Sequence, residues 1–307
     1  MSDLFSLIFT ADFLGSVIRM STPILFVALA ALVGSKADVL CIAYEGIMLF
    51  AAFGGVVGSA YTGTIAGGLF LGLLLGMLLI GIFAYFVLYL HTKPLLIGLA
   101  LNILGSAGTV FGLYMLTGSK ANSTKLGSLT FPELHIPLIK DIPVLGTVLS
   151  GHNVLTYVAF LSIILVQVFI YKTGLGLRIR AVGESPKAAS SLGIDVNKTK
   201  FIALLISGVL ASLGGIFLSM AYLPYFTRDM TAGRGFIGIA AQSLGAGKPI
   251  LTGIWILIFG FADAIGNLAQ SFRLPSQFAQ MAPYLTTLIG LVLINIPRDK
   301  KKTDNPL

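Results

Sequence analysis

Residues 65–90 read IAGGLFLGLLLGMLLIGIFAYFVLYL, a stretch without a single Lys, Arg, Asp or Glu. It is longer than the roughly 20 residues with which an α-helix crosses the hydrocarbon core of a bilayer. The whole chain is 56% hydrophobic and only 10% charged, whereas soluble domains carry about 25% charged residues. A chain so poor in charge cannot cover a water-facing surface, so the sequence predicts an integral membrane protein.

Further apolar runs predict an all-α, polytopic transmembrane helix bundle. Together with the opening run, which extends over 64–90, the candidate spans are 13–33, 42–60, 94–117, 152–171, 201–223, 250–270 and 281–297. A shorter, glycine-rich run between 229 and 247 contains GRGFIGIAAQSLGAG. It predicts one broken or re-entrant helix, which only protein or a water-filled cavity could cover. We therefore expect about 8–10 spans.

Lys and Arg residues predict which loops face the cytoplasm. The segment 172–200 and the basic tail 298–307 together hold ten of the twenty Lys and Arg residues, and the positive-inside rule places both in the cytoplasm. The loop 118–151 is one span away from the first segment, so it is expected outside the cell. An even number of crossings must then separate the segment from the tail. Because three full spans lie between them, the 229–247 fragment is expected to cross or nearly cross.

A charged interruption, RIRAVGESPKAASSLGI at 178–194, has the start and stop signals of a short helix. Ser185 is a favourable N-cap and Pro186 suits the first helical position. Gly193 stands where a left-handed residue ends a helix. A helix of about two turns is not stable alone in water, so it must dock on something. The residues themselves leave two partners open, the bilayer surface and a cytoplasmic protein.

Several blocks of the chain resemble one family. YKTGLGLRIRAVGESPKAASSLGIDV resembles the coupling segment of ABC importer permeases that serve nucleosides, simple sugars and branched-chain amino acids. IAYEGIML, GLALNILGSAGT, IPVLGTVLSGHNVLTY and GRGFIGIAAQSLGAGKPILTGIWILIFGFADA resemble other blocks of these permeases in the same order. The resemblance covers about residues 20–297 and is greatest to nucleoside-type permeases. At Cys41 the chain departs from the family, in which an Asn is usual.

This resemblance implies a single permease domain over 1–307 that forms a pathway for nucleosides and is not an enzyme. The implied partners are an ABC ATPase with two nucleotide-binding domains, a second permease subunit in a heterodimer, and an extracellular substrate-binding lipoprotein. No cofactor is expected in this chain; ATP and Mg²⁺ would be bound by the ATPase. The implied location is the bacterial plasma membrane, with a cytoplasmic C-terminus. The residues expected to couple the chain to the ATPase are Glu184, Ser185, Pro186, Lys187, Ala188, Ala189, Leu192 and Gly193.

Other cargoes and another transport class stay open from the sequence. The cargo could be a ribose-like sugar or a branched-chain amino acid. A secondary transporter without ATPase partners is the alternative of a different class, and the capped docking helix argues against it. The run QSLGAGKPIL is no phosphate-binding loop, because Gln242 and Pro249 occupy positions that require Gly and Ser or Thr. The three isolated His residues and the single Cys predict no metal site.

Polar side chains at bilayer depth are costly and often functional, which makes six residues candidates for the substrate pathway. These are Glu45, Asn102, Gln242, Asp263, Asn267 and Gln270. Three alternatives are structural: helix capping for the first, a hydrogen bond between helices for the second, and a buried polar network for the last three, which share one helix face. Arg228, Asp229 and Arg234 are expected outside, where they either meet the binding protein or stay solvated.

Overall fold

The computed structural model describes residues 10–135, 148, 150–271 and the isolated positions 285, 286, 288, 290 and 292, without the side chains of 269–271. In this part of the chain, seven helices are long and apolar enough to cross a membrane. They are α1 (Ala11–Lys36), α2 (Tyr44–Thr62), α3 (Ile65–Leu88), α4 (Pro94–Thr117), α5 (Val154–Lys172), α8 (Val196–Phe217, continued by a π turn over Leu218–Tyr222) and α10 (Pro249–Ser271). The shorter elements are α6 (Gly174–Glu184), α7 (Pro186–Ser191), α9 (Arg234–Leu244) and the antiparallel pair β1 (Glu133–Leu134) and β2 (His152–Asn153).

These helices confirm the predicted all-α membrane bundle. Seven of the eight predicted spans are present, and the eighth, 281–297, lies largely outside the described residues. The largest difference in bounds is at α8, which begins at Val196 rather than at 201. Asp195 causes this earlier start, because its Oδ1 accepts from the backbone N–H of Lys198 at 3.0 Å and caps the helix. The same N–H lowers the pKa of Asp195.

α1 is the central helix of the bundle. The side chains from Ile24 to Leu29 are at most 1% exposed, and α1 packs against α5, α8, α9 and α10. A helix that is hydrophobic and buried all round is a core element.

The helices α2, α3 and α8 pack closely because glycine and other small residues occupy the positions where they touch. A Cβ added at Gly72 would lie 2.8 Å from the carbonyl oxygen of Ala51, and one at Gly68 would lie 2.6 Å from that of Gly55. Gly76 lies against Ser212 of α8. Transmembrane helices associate through such small residues, since lipid provides no hydrophobic force between them. The ladder Gly68, Gly72, Gly76 is therefore structural.

The two ends of the bundle differ in charge and in the kind of loop. We call the end formed by the turns 37–43 and 89–93, helices α6 and α7, and residues 245–248 the basic end; Lys200 pairs there with Asp38 at 3.5 Å. The opposite, loop end consists of 118–135, 150–153 and 223–228, where Asn122 and Thr227 form a β-bridge.

One crossing of the bundle is broken in the middle. At the loop end, Arg228 donates its backbone N–H to Ala121 O at 2.9 Å. The chain then descends without helical structure to Gly233, where α9 begins, and at the basic end Gly247 lies against the side chain of Lys36. This confirms the predicted broken helix and shows that the 229–247 fragment completes a crossing.

The segment 172–200 contains more helix than the sequence predicted. Besides the expected short helix α7, it forms α6, which begins where Thr173 Oγ1 accepts from Gly176 N at 3.1 Å. Ile179 and Val182 of α6 are fully buried, and the guanidinium of Arg180 lies 5.1 Å from the ring centre of Tyr171. α6 forms because it has its own apolar face, which the charges along this segment obscure in the sequence.

Replacing Gly72 by Val is expected to destabilise the α2–α3 contact by about 1–3 kcal/mol, because overpacking forces backbones apart. The measurement is thermal unfolding of the purified protein in detergent. Gly81→Val on the same helix is the matched control, since a Cβ at Gly81 meets nothing within 4 Å. Equal unfolding temperatures for the two variants would show that this contact tolerates a side chain.

Candidate functional site at a broken membrane span

The carboxylate of Glu45 is bound to the start of the half-helix α9. Its Oε1 accepts from Thr231 Oγ1 at 2.5 Å and from Gly233 N at 2.8 Å, and its Oε2 accepts from Gly235 N at 2.7 Å. Glu45 is only 7% exposed. The first N–H groups of a helix have no intrahelical partners and together carry a partial positive charge. A carboxylate accepts hydrogen bonds from these groups, and its negative charge compensates theirs. The buried anion thus compensates the helix end that the break creates.

The turn before α9 is shaped to fit this carboxylate. Ala232 and Gly233 both have positive φ, 46° and 79°, which reverses the chain so that successive N–H groups point to one acceptor. Gly235 allows the close approach, because a Cβ there would lie 2.6 Å from the backbone N of Glu45. Left-handed backbone is unfavourable for Ala, and the hydrogen bonds to Glu45 offset that cost.

An ion pair ties the same half-helix to α10. Arg234 Nη2 lies 3.2 Å from Asp263 Oδ2, and both side chains are 15% exposed. Arg234 Nη1 also donates to the carbonyl oxygens of Met230 and Thr231 at 3.4 Å. Breaking such a largely buried pair by removing one partner costs about 3 kcal/mol, since it leaves a charge uncompensated. Arg234 is thus inside the bundle, and its expected position outside was wrong.

Asn102 belongs to the neighbourhood of Glu45. Its Oδ1 accepts from Gly46 N at 2.8 Å, and its Nδ2 donates to Ile42 O at 2.9 Å. Both polar atoms of the amide therefore connect α4 to the start of α2. This geometry agrees with the alternative of a hydrogen bond between helices. Because Gly46 directly follows Glu45, it also places the amide beside the residue that carries the buried carboxylate.

The other predicted pathway residues lie elsewhere. Gln242 donates to Ser35 Oγ at 3.1 Å at the basic end, and Asn267 Nδ2 lies 3.5 Å from Met20 Sδ near the loop end. The side chain of Gln270 is outside the described residues. The structure thus joins Glu45, Asn102 and, through Arg234, Asp263, while the other two described candidates lie apart.

Thr231, Gly233 and Arg234 are site residues that the sequence analysis did not place at the site. The sequence signal for Thr231 and Gly233 is weak, because Thr and Gly are common in any loop. An Arg at the start of an apolar run, together with an Asp within a later span, was the usable indication of a buried pair.

The predicted docking helix α7 forms at the basic end as expected. Ser185 Oγ accepts from Ala188 N at 3.3 Å, Pro186 is the first helical residue, and Gly193 has φ of 78°. Ala189 is 2% exposed and faces the bundle, whereas Leu192 is 81% exposed. Leu192 therefore points away from the described part of the bundle, at the outer end of α7.

Two contacts at Lys36 connect the segment that carries α7 to the rest of the bundle. α7 follows α6, whose Gly183 lies against the carbonyl oxygen of Lys36 at the end of α1. The side chain of Lys36 in turn touches Gly247, just beyond the end of α9. α6 and the segment just after α9 therefore meet at the same residue, Lys36.

A family model described as the branched-chain amino acid transport system / permease component matches residues 13–296. The chain belongs to this family. The match includes the polar cluster and, apart from the first two residues of α1, all the spans described above. Within the described residues, no group of three His, Cys, Asp or Glu side chains is placed to hold a metal ion.

Curated relatives in this family carry several cargo names. The guanosine ABC transporter permease protein NupQ of Bacillus subtilis is 37% identical over 63% of this chain, and the nucleoside ABC transporter permease protein NupC of Lactococcus lactis is 37% identical over 52% of it. These matches span 62% and 52% of the relatives' own lengths. TsgC13 of Haloferax volcanii, named provisionally as a glucose ABC transporter permease, is 30% identical over 93% of this chain and 86% of its own length.

One solved structure has the same fold. It is PsaBC from Streptococcus pneumoniae in complex with Fab, with a TM-score of 0.54 over 94% of this chain and 95% of that one. The sequences are 14% identical, so the likeness concerns the arrangement of the helices alone.

Replacing Glu45 by Gln is expected to lower stability by about 2–3 kcal/mol, because an amide turns one acceptor oxygen into a donor that faces N–H groups. Glu45→Ala should cost at least as much. Thermal unfolding in detergent measures both effects. The matched control is Glu133→Gln, an exposed Glu in β1 that should unfold like the wild type. A Glu45→Gln protein as stable as the control would mean that the carboxylate does not hold α9.

Proposed function

We propose that this chain is the permease subunit of an ATP-driven ABC importer and forms the membrane pathway for nucleosides. The observation that carries the proposal is α7, a helix with caps at both ends that leaves Leu192 exposed at the basic end. A secondary transporter would need no such contact surface. The two relatives at 37% identity, both named for nucleosides, support the choice of cargo.

The proposed assembly contains three partners. An ABC ATPase with two nucleotide-binding domains binds ATP and Mg²⁺ and docks on the basic end, which we assign to the cytoplasm together with the C-terminal tail. A second permease subunit, in a heterodimer, completes the pathway. An extracellular substrate-binding lipoprotein docks on the loop end. In this arrangement the chain itself catalyses no reaction.

The proposed coupling runs through the contacts at Lys36. Closure of the ATPase displaces α7, which carries α6 with it as a rigid body. Because α6 and Gly247, just beyond the end of α9, both lie against Lys36, the displacement reaches the broken span. Glu45 and Asp263 hold the other end of α9, so the half-helix is the element that a movement at the basic end would tilt.

A sugar is the second candidate cargo, because TsgC13 aligns with nearly the whole chain. Uptake of labelled guanosine, uridine and glucose, measured in cells with and without this chain, separates the two. We expect nucleoside uptake to depend on the chain and glucose uptake to be unchanged. Loss of glucose uptake alone would make the nucleoside assignment wrong.

Leu192→Asp is expected to abolish uptake and to lower transport-dependent ATP hydrolysis by at least about tenfold, since a buried unpaired charge costs several kcal/mol at a protein contact. The readout is ATPase activity of the purified importer in liposomes, with and without the binding protein. The Leu192→Met variant should keep its activity. Leu129 is a 40% exposed residue at the loop end, and Leu129→Asp tests whether a new charge elsewhere has the same effect. Full coupling in Leu192→Asp would refute the role of α7.

A further inference from the structure

The exposed face of α4 does not have the composition expected of a lipid-facing surface. Of its most apolar window, 22% is buried, the smallest share among the seven spans in the described residues, against 39% in α3 and 33% in α5. A helix that shows most of its surface to lipid should be the most apolar of the three. The mean hydropathy of α4 is instead lower than that of both α3 and α5. Part of this face is therefore suited to something more polar than lipid.

A groove runs along this same face towards the loop end. Its volume is about 740 Å³, and its floor is a stripe of α4 residues at helical spacing that includes Ser106, Ala107, Phe111 and Tyr114. Lys120, from the segment after α4, and Arg228, from the segment before the break, both line it. The two segments are held together by the hydrogen bond from Arg228 N to Ala121 O. Two cations from distant parts of the sequence thus line the same groove as two aromatic rings.

The side chains of the groove suit a flat, uncharged ring with hydrogen-bond acceptors. Phe111 is 64% exposed and Tyr114 47%, so both offer ring surface for stacking, which contributes about 1–3 kcal/mol per nucleic-acid base. Lys and Arg are donors only, so they select acceptors on the ring edge. The Lys120 ammonium already lies 5.4 Å from the Tyr114 ring centre. A monosaccharide or a branched aliphatic side chain would leave the stacking surfaces without a planar partner.

We propose that this groove on α4 is a water-accessible binding site for nucleosides in the membrane pathway. The base stacks on Phe111 and Tyr114, and its acceptor atoms meet Lys120 and Arg228. The groove is open on one side, so the second permease subunit completes it. The inference rests on the proposed function and adds to it the place where the cargo binds and a preference among nucleosides. A 6-oxopurine nucleoside such as inosine should bind better than adenosine, which carries an amino donor in place of the oxygen.

Thiol labelling distinguishes this site from a lipid-facing surface. The chain has a single cysteine, Cys41, which is buried and is replaced by Ala in the background. Ala107→Cys introduces a thiol in the groove, and Leu78→Cys introduces one on the 52% exposed, apolar face of α3 as the control. The full importer in right-side-out vesicles is treated with a membrane-impermeant thiol reagent. Labelling of this chain is followed by mass spectrometry with and without inosine.

We expect the Ala107→Cys thiol to react at least about tenfold faster than the Leu78→Cys thiol, because only a hydrated thiol ionises readily. Inosine should slow the reaction at Ala107→Cys and leave the control unchanged. Labelling no faster than in the control would overturn the proposal by placing this face in lipid or in a dry contact. Fast labelling that no nucleoside slows would also overturn it, since the groove would be wet but would not bind cargo.

A separate variant tests the preference for inosine over adenosine. Arg228→Gln should raise the inosine concentration needed for protection by about fivefold or more. The adenosine concentration needed for protection should change little. Equal effects on both nucleosides would refute the contact between Arg228 and the base. Uptake by the wild-type importer is measured in the same vesicles. If the wild type imports no nucleoside, the proposed function fails; if it imports nucleosides and Ala107→Cys is not protected, only the inference about the groove fails.

Discussion

The buried carboxylate of Glu45 and the N–H groups at the start of α9 depend on each other. A helix that begins inside a bundle exposes unpaired N–H donors where water cannot reach them, and a lone buried carboxylate is equally unfavourable. Three hydrogen bonds from Thr231, Gly233 and Gly235 satisfy both groups at once. The break in the span and the left-handed turn before α9 both depend on this interaction.

The break gives the bundle one span that is not a continuous rod. Its helical half is held at the inner end by Glu45 and by the Arg234–Asp263 pair, and it reaches the basic end beside Lys36. The rest of the core is closely packed, with glycines against backbone at the contacts of α2, α3 and α8. Such packing transmits displacement rather than absorbing it. A half-helix fixed by a few polar contacts is the place where a discrete rearrangement costs least.

Elements with local signals could be predicted from the sequence. The spans follow from apolar length, and α7 follows from Ser185, Pro186 and Gly193, each of which acts on the backbone within a few residues. The crossing of the 229–247 fragment followed from charge and parity. α6 was missed, because its apolar face, with Ile179 and Val182, is spread among Arg residues. The site was predicted only in part, since Glu45 and Asn102 stood out as polar groups in apolar runs while Thr231 and Gly233 looked like ordinary loop residues.

The sequence by itself determined a membrane bundle, seven of its predicted spans, a short capped helix and one broken crossing, because hydropathy, caps and charge act locally or along a single axis. Only the tertiary structure decided which polar groups meet. Glu45 lies 186 residues before Thr231, and Arg234 lies 29 residues before Asp263. Contacts at such separations depend on how the helices pack against one another, and packing between spans is set by shape and small residues that carry no periodic signal.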